Sequence, residues 1–167
     1  MTRLGRRLLH DPQTEPVPAW LCRLFQGLHG TWLGRDGTED MPSCKGAYLL
    51  ALHLDIPIVT KLRQEERLLS PGWYLYAGSA RGGGGIAARV KRHMRSDKPI
   101  HWHIDRLTTR FPVVAAFAVP RGSECDLVGG LLETGRYQIA VKGFGSSDCR
   151  RCEAHLLRAL ATDEKSA

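Results

Sequence analysis

Short apolar runs separated by turn chemistry dominate the chain from residue 46 onward. Residues 46–54 are almost wholly apolar, have strand length, and are followed at once by Asp55 and Pro57, which predicts a buried strand that ends there. Residues 56–60 read as a further short strand piece, with 61–69 as connection. Ser70-Pro71-Gly72 is turn chemistry, and the aromatic-rich residues 73–78 read as a second long strand. After Gly82 to Gly85, the residues Ile86, Val90 and Met94 recur at four-residue spacing, which predicts a helix to about Arg95, stopped by Lys98-Pro99. Residues 113–119 form an apolar, strand-length run that should be buried on both faces. Residues 124–132 read as a helix with Leu127, Val128, Leu131 and Leu132 inward, 137–141 as extended, and 153–161 as a closing helix carrying Leu156, Leu157 and Leu160. The order β, β, α, β, α, α predicts an α/β or α+β fold with a small mixed sheet and helices packed beside it.

Residues 1–43 have a different texture, mixing Arg, Pro, Gly and Thr around one modest apolar stretch from 20 to 28. They read as a poorly ordered arm with one short helix, leaving 44–162 as the folded domain and 163–167 as a tail. Hydrophobic residues at 43% and charged residues at 25% exclude bulk disorder. The apolar runs fall far short of the roughly 18 residues needed to cross a bilayer, and no secretory signal is expected. The net charge of +7 is concentrated between residues 81 and 98, where Arg81, Arg89, Lys91, Arg92, Arg95 and Lys98 face a single acid, Asp97. Such a patch serves a polyanionic partner or plain solubility. Five cysteines, an odd number without an export signal, read as reduced thiols or metal ligands, so a cytoplasmic setting is expected.

Four constellations could carry chemistry. Arg89, Arg92 and His93 share one face of the helix that follows the glycines, and a glycine-rich turn at a helix N-terminus offers backbone N–H groups to a phosphate. The competing reading is a solvated basic face. Tyr48 and Tyr76 could lie side by side on adjacent strands, either as packing or, with a cation lowering the phenol pKa, as a general base. His101, His103 and Asp105 alternate, so an extended segment would put all three on one face for a metal or phosphate, with structural hydrogen bonding as the alternative. Cys149, Cys152 and His155 have the spacing of three zinc ligands, with Cys125 a conceivable fourth. A structural zinc site usually shows two clear pairs, so buried or capping thiols are the favoured reading; Cys22 and Cys44 show no partner pattern.

Gly46-Ala47-Tyr48, then Tyr76-Ala77-Gly78 some thirty residues on, then Arg89 to His93, resemble the motifs of the GIY-YIG nuclease superfamily. Within it, residues 101–105, Glu124-Cys125 and 143–149 are similar to the compact Uri-type branch. The resemblance covers about 46–160. It implies a small central, mainly antiparallel sheet flanked by helices, and hydrolysis of DNA phosphodiesters with one divalent cation, Mg²⁺ or Mn²⁺. It further implies that Tyr48 and Tyr76 sit beside the scissile phosphate, that Arg89 neutralises charge on phosphorus, that His93 assists proton transfer, and that Glu124 ligates the metal, with Glu133 as competitor. Ser79, Arg92, His101 and His103 would contact substrate. A DNA endonuclease acting in repair or processing is thus the expected function. Its rivals are a catalytically weak nucleic-acid binding module of the same fold and a zinc-stabilised interaction domain built around Cys149, Cys152 and His155.

Overall fold

The structure, a computed structural model, describes residues 17–24 and 30–160. The arginines at 3, 6 and 7, the end of the apolar stretch at 25–28 and the tail at 163–167 lie outside the described residues. The expected α/β fold is the one observed. Strand β1 (Thr31–Gly34) is followed by β2 (Gly46–Leu54), β3 (Ile58–Leu62), β4 (Glu65–Leu69), β5 (Gly72–Ala80), β6 (Val113–Pro120), β7 (Tyr137–Ile139) and β8 (Leu156–Ala159). Helices α1 (Ala19–Arg23), α2 (Gly85–Met94), α3 (Asp105–Thr108) and α4 (Glu124–Glu133) complete it. Six strands form one antiparallel sheet in the order β1-β6-β2-β5-β8-β7, while β3 and β4 make a separate hairpin.

The apolar run of β2 needs no alternation because both of its faces are covered. It lies between β5 and β6, and Tyr48, Leu50, Leu52 and Leu54 enter the core on one face while Ala47, Leu49 and Ala51 enter the core on the other. The first core is closed by Ile86 and Val90 of α2 and by Leu107 of α3; the second by Leu127, Val128 and Leu131 of α4 and by Leu21 of α1. Each fully buried leucine contributes about 2 kcal/mol relative to exposure. Antiparallel pairing of β2 with β5 sets Tyr48 opposite Gly78 and Leu50 opposite Tyr76, so the two tyrosines are diagonal neighbours on one sheet face.

Four expectations are corrected. Residues 153–161 do not close the chain as a helix: Leu156 and Leu157 are both fully buried but in opposite cores, which only a strand inserted between β5 and β7 permits. Leucine and alanine favour a helix locally, and the open edge of β5 overrides them. The 61–69 connection is instead half of the β3–β4 hairpin, turned at Arg63 with φ 56°. Residues 101–104 are irregular and α3 starts at Asp105, so the alternation of His101, His103 and Asp105 does not place them on one strand face. In the arm expected to be poorly ordered around one short helix, that helix is present as α1, but β1 also pairs with β6 and is followed by a 3-10 helix, Arg35–Asp40. Among the described residues no helix is long and apolar enough to cross a membrane.

The two-sided burial of β2 makes a clear prediction for stability. Leu50→Ala, at a fully buried position, is expected to lower the unfolding free energy by about 3 kcal/mol, whereas Leu68→Ala on the hairpin, 66% exposed, shifts it by less than about 1 kcal/mol. Equilibrium denaturation of both variants is the check.

Candidate functional site

Gly78 opens the site. A Cβ at this position would overlap the ring of Tyr48 directly across the ladder, so glycine leaves the space in which the phenol lies over β5. Gly145 does the same for Tyr76: its φ of 74° suits glycine, and a Cβ there would sit 2.7 Å from the Tyr76 ring. Beside these two rings is a cleft of about 510 Å³. Eight of the nine residues expected in catalysis or substrate contact line it, namely Tyr48, Tyr76, Ser79, Arg89, His93, His101, His103 and Glu124. They come from β2, β5, α2, the segment before α3 and the first turn of α4.

At its centre is a chain of hydrogen-bonding groups running inward from the cleft. Tyr48 Oη lies 2.9 Å from His93 Nε2, and His93 Nδ1 faces Asp105 Oδ1 at 3.5 Å. A carboxylate before Nδ1 favours the tautomer with its proton there, so that Nε2 accepts from the Tyr48 hydroxyl. Asp105 has no exposed surface, yet it is charged. Burial alone would raise its pKa, but His93, Arg92 and the backbone N–H groups of Trp102 and His101 outweigh burial and hold it far below the usual carboxylate range. Arg92 grips it with two bonds, Nη1 to Oδ1 at 2.8 Å and Nη2 to Oδ2 at 3.0 Å, while the His101 and Trp102 N–H groups each donate to Oδ2 at 2.9 Å. Arg92 is thereby committed to Asp105 and to Pro99 O, and it does not line the cleft, contrary to its expected contact with substrate.

Arg89 and Arg92 stack on Trp102, their guanidinium carbons 4.4 and 4.3 Å from the ring centroid. Strand alternation over 101–105 would turn Trp102 to the face away from the histidines. The irregular path of 101–104 instead brings it between α2 and the cleft. Trp102 was not among the expected site residues; Asp105 was, but as a metal or phosphate contact beside His101 and His103, and it serves instead as the buried anion that holds Arg92.

The tyrosines are not acidified. Burial pushes both phenols well above 10, Tyr76 and Asp105 pushing Tyr48 further, Asp105 and Glu124 pushing Tyr76 further, and the opposing effect of Arg89 is too small to reverse this. Burial thus favours the hydroxyl form of both side chains over the phenolate that one reading of the pair called for. Burial likewise lowers His93, against the pull of Asp105, and lowers His103, with Arg106 adding. His103 Nδ1 accepts the Gly145 N–H at 3.2 Å, which ties the 143–145 turn to the cleft wall.

The expected phosphate cradle at the start of α2 is also absent. Ile86 N–H donates to Cys44 O and Ala87 N–H to Pro42 O, both at 3.0 Å, so these helix-end donors are already used by the chain entering β2. By contrast, Glu124 Oε2 is buried at the cleft wall without a hydrogen-bond partner. An unpartnered carboxylate oxygen beside a cationic wall fits a hard divalent cation. Glu133, the competitor, is exposed at the other end of α4 and does not line the cleft.

Next to Glu124, the structure gathers Cys125, Cys149, Cys152 and His155, whose ligand atoms all lie within 4.8 Å of one another. This Cys₃His group could bind a metal ion, and its thiols and imidazole suit zinc rather than Mg²⁺. Cys125, the conceivable fourth ligand in the sequence, is 24 residues upstream of Cys149 and reaches it only through the fold. Among comparisons with known proteins, the model of the family described as "Domain of unknown function DUF123" matches residues 47–167. No curated protein and no solved structure matches the chain.

The lowered histidines set a direction for acid sensitivity. A group whose folded pKa is depressed gives its full stability above its unfolded pKa, about 6.5 for histidine, and loses it as pH falls. Unfolding free energy is therefore expected to drop as pH falls below about 6.5, and the slope to flatten in His93→Gln/His103→Gln. Separately, Asp105→Asn leaves Arg92 half-buried without its anion and is expected to cost about 3 kcal/mol at pH 7. Urea unfolding across pH checks both.

Proposed function

The chain belongs to the DUF123 family, and from the contents of its cleft we propose that it is a metal-dependent DNA endonuclease of the GIY-YIG type. The observation that carries this reading is the meeting, in one cleft, of the Tyr48–His93 hydrogen bond, the Arg89 guanidinium, Tyr76 and the unpartnered Glu124 carboxylate. Hydrolysis of a phosphodiester needs a proton acceptor for the attacking water, positive charge at the phosphoryl oxygens, and stabilisation of the leaving oxygen.

Tyr48 and His93 supply the first. Because the phenol is protonated at neutral pH, Tyr48 would pass its own proton to His93 Nε2 as it takes one from water, and Asp105 would stabilise the resulting imidazolium. No free phenolate is needed. Arg89, held against Trp102 at the cleft wall, supplies fixed positive charge to the phosphoryl oxygens without having to be ordered at the moment of reaction. Tyr76 presents a neutral hydroxyl that can donate to a non-bridging oxygen. Glu124 would hold the divalent cation, Mg²⁺ or Mn²⁺, whose charge when bound stabilises the leaving oxygen. Ser79, His101 and Arg150, also at the cleft, provide polar and cationic contacts for the flanking backbone, in keeping with the chain's net charge of +7.

The test is cleavage of labelled duplex, nicked, flapped, branched and single-stranded DNA with Mg²⁺, Mn²⁺ or EDTA. Glu124→Gln, Arg89→Ala and Tyr48→Phe are each expected to lose at least about 10²-fold in rate. Glu124→Gln should retain salt-dependent binding, since it removes no positive charge. Folded wild type that binds these substrates and cuts none would transfer the same cleft to a nucleic-acid binding module.

A further inference from the structure

Cys125, Cys149, Cys152 and His155 take no part in the proton path or the phosphate contacts, yet they meet at one point. Cys125 is the second residue of α4, directly after Glu124; Cys149 and Cys152 lie on the loop after the 143–145 turn; His155 immediately precedes β8. The His155 backbone is fixed on both sides, its N–H donating to Phe144 O at 2.8 Å and its carbonyl accepting from Ala77 of β5 at 2.9 Å. Its imidazole is 6% exposed, and Nε2 is buried with no hydrogen-bond partner. A buried, unpartnered imidazole nitrogen is costly unless something outside the chain satisfies it. Cys149 Sγ accepts the N–H groups of Arg151 at 3.4 Å and Cys152 at 3.3 Å, the kind of contact that supports a thiolate. Cys125 Sγ stands 3.4 Å from Cys149 Sγ.

We infer that these four side chains bind one Zn²⁺ through three thiolate sulfurs and the His155 imidazole, as a closed structural site that fixes the first turn of α4, and with it Glu124, beside the cleft. Zn–S bonds of about 2.3 Å and Zn–N bonds of about 2.1 Å place tetrahedral ligands roughly 3.5 to 3.8 Å apart, and four atoms already within 4.8 Å need only a small contraction. Four protein ligands leave no open position for a reactive water, so the zinc holds structure and does no chemistry. A Cys125–Cys149 disulfide is the competing use of the shortest contact, but it leaves Cys152 unused and His155 Nε2 unsatisfied. The site joins a helix on one side of the sheet to the loop whose Gly145 packs on Tyr76, so both walls of the cleft depend on it. The metal assignment stands on these four residues alone; its effect on cleavage rests on the nuclease reading.

The experiment is metal analysis of the full chain purified under reducing conditions, followed by replacement of the metal with Co²⁺. About one zinc per chain is expected, and the cobalt form should show thiolate-to-metal charge transfer with the intense visible bands of a tetrahedral site. Cys152→Ser and His155→Gln are expected to lower zinc affinity by at least about 10-fold; should either fail to fold, the cobalt spectrum of the wild type still decides. Zinc-free folded protein, an octahedral cobalt spectrum, or a Cys125–Cys149 disulfide in mass analysis of the freshly purified chain would overturn the assignment. Where zinc is bound and Mg²⁺-dependent cleavage is present, zinc extraction by a chelator and re-addition of Mg²⁺ alone should leave cleavage impaired; unchanged cleavage would overturn the positioning role. Zinc bound with no cleavage of any DNA would sink the nuclease reading and leave the metal site standing.

Discussion

A single buried carboxylate organises the cationic wall of the cleft. Asp105 has lost all contact with solvent, and a charge in that position is tolerable only because four donors converge on it. Each donor belongs to a part of the site: the two Arg92 N–H groups to α2, whose His93 Nδ1 also faces the carboxylate, and the backbone of 101 and 102 to the segment that carries Trp102. The requirement to satisfy one anion therefore fixes how α2 sits against the start of α3. Trp102 comes with it, and Trp102 then holds Arg89 toward the cleft. Removing the carboxylate would release the helix, the indole and the guanidinium together.

Desolvation sets the chemistry available to this wall. Arg89 alone would favour ionised tyrosines, and Asp105 alone would favour a protonated His93, but burial is the larger effect on each. The result is a row of neutral groups, two hydroxyls and an imidazole, set between a fixed anion behind and fixed cations beside. A proton can move along such a row without any member carrying charge at rest. In a dry site the fixed charges also act more strongly than they would in water.

The two sides of the sheet contribute differently. The tyrosine motifs and α2 share one core, while α4 belongs to the other, and its first turn alone reaches the cleft. A carboxylate delivered from across the sheet needs something to hold its backbone. The cysteine and histidine cluster lies at that junction, immediately beside Glu124, and its ligands come from three separate stretches of chain.

By itself the sequence determined the strands whose apolar runs are long and bounded, namely β2, β5 and β6, the helices α2 and α4 with their fourfold and amphipathic spacing, and the α/β class. Through its resemblance to the GIY-YIG superfamily it also pointed to Tyr48, Tyr76, Arg89, His93 and Glu124, which the fold brings to one cleft. Only the tertiary structure decided β8, because a Leu-rich segment becomes a strand when an unpaired edge and two cores stand ready for it. It alone removed Arg92 from the cleft, raised the tyrosines, used up the N–H groups at the start of α2, and joined Cys125 to a Cys-x-x-Cys pair far along the chain. Periodicity reports which face of an element is apolar. It does not report which polar groups will be buried together, and burial and pairing are what set their charge and their use.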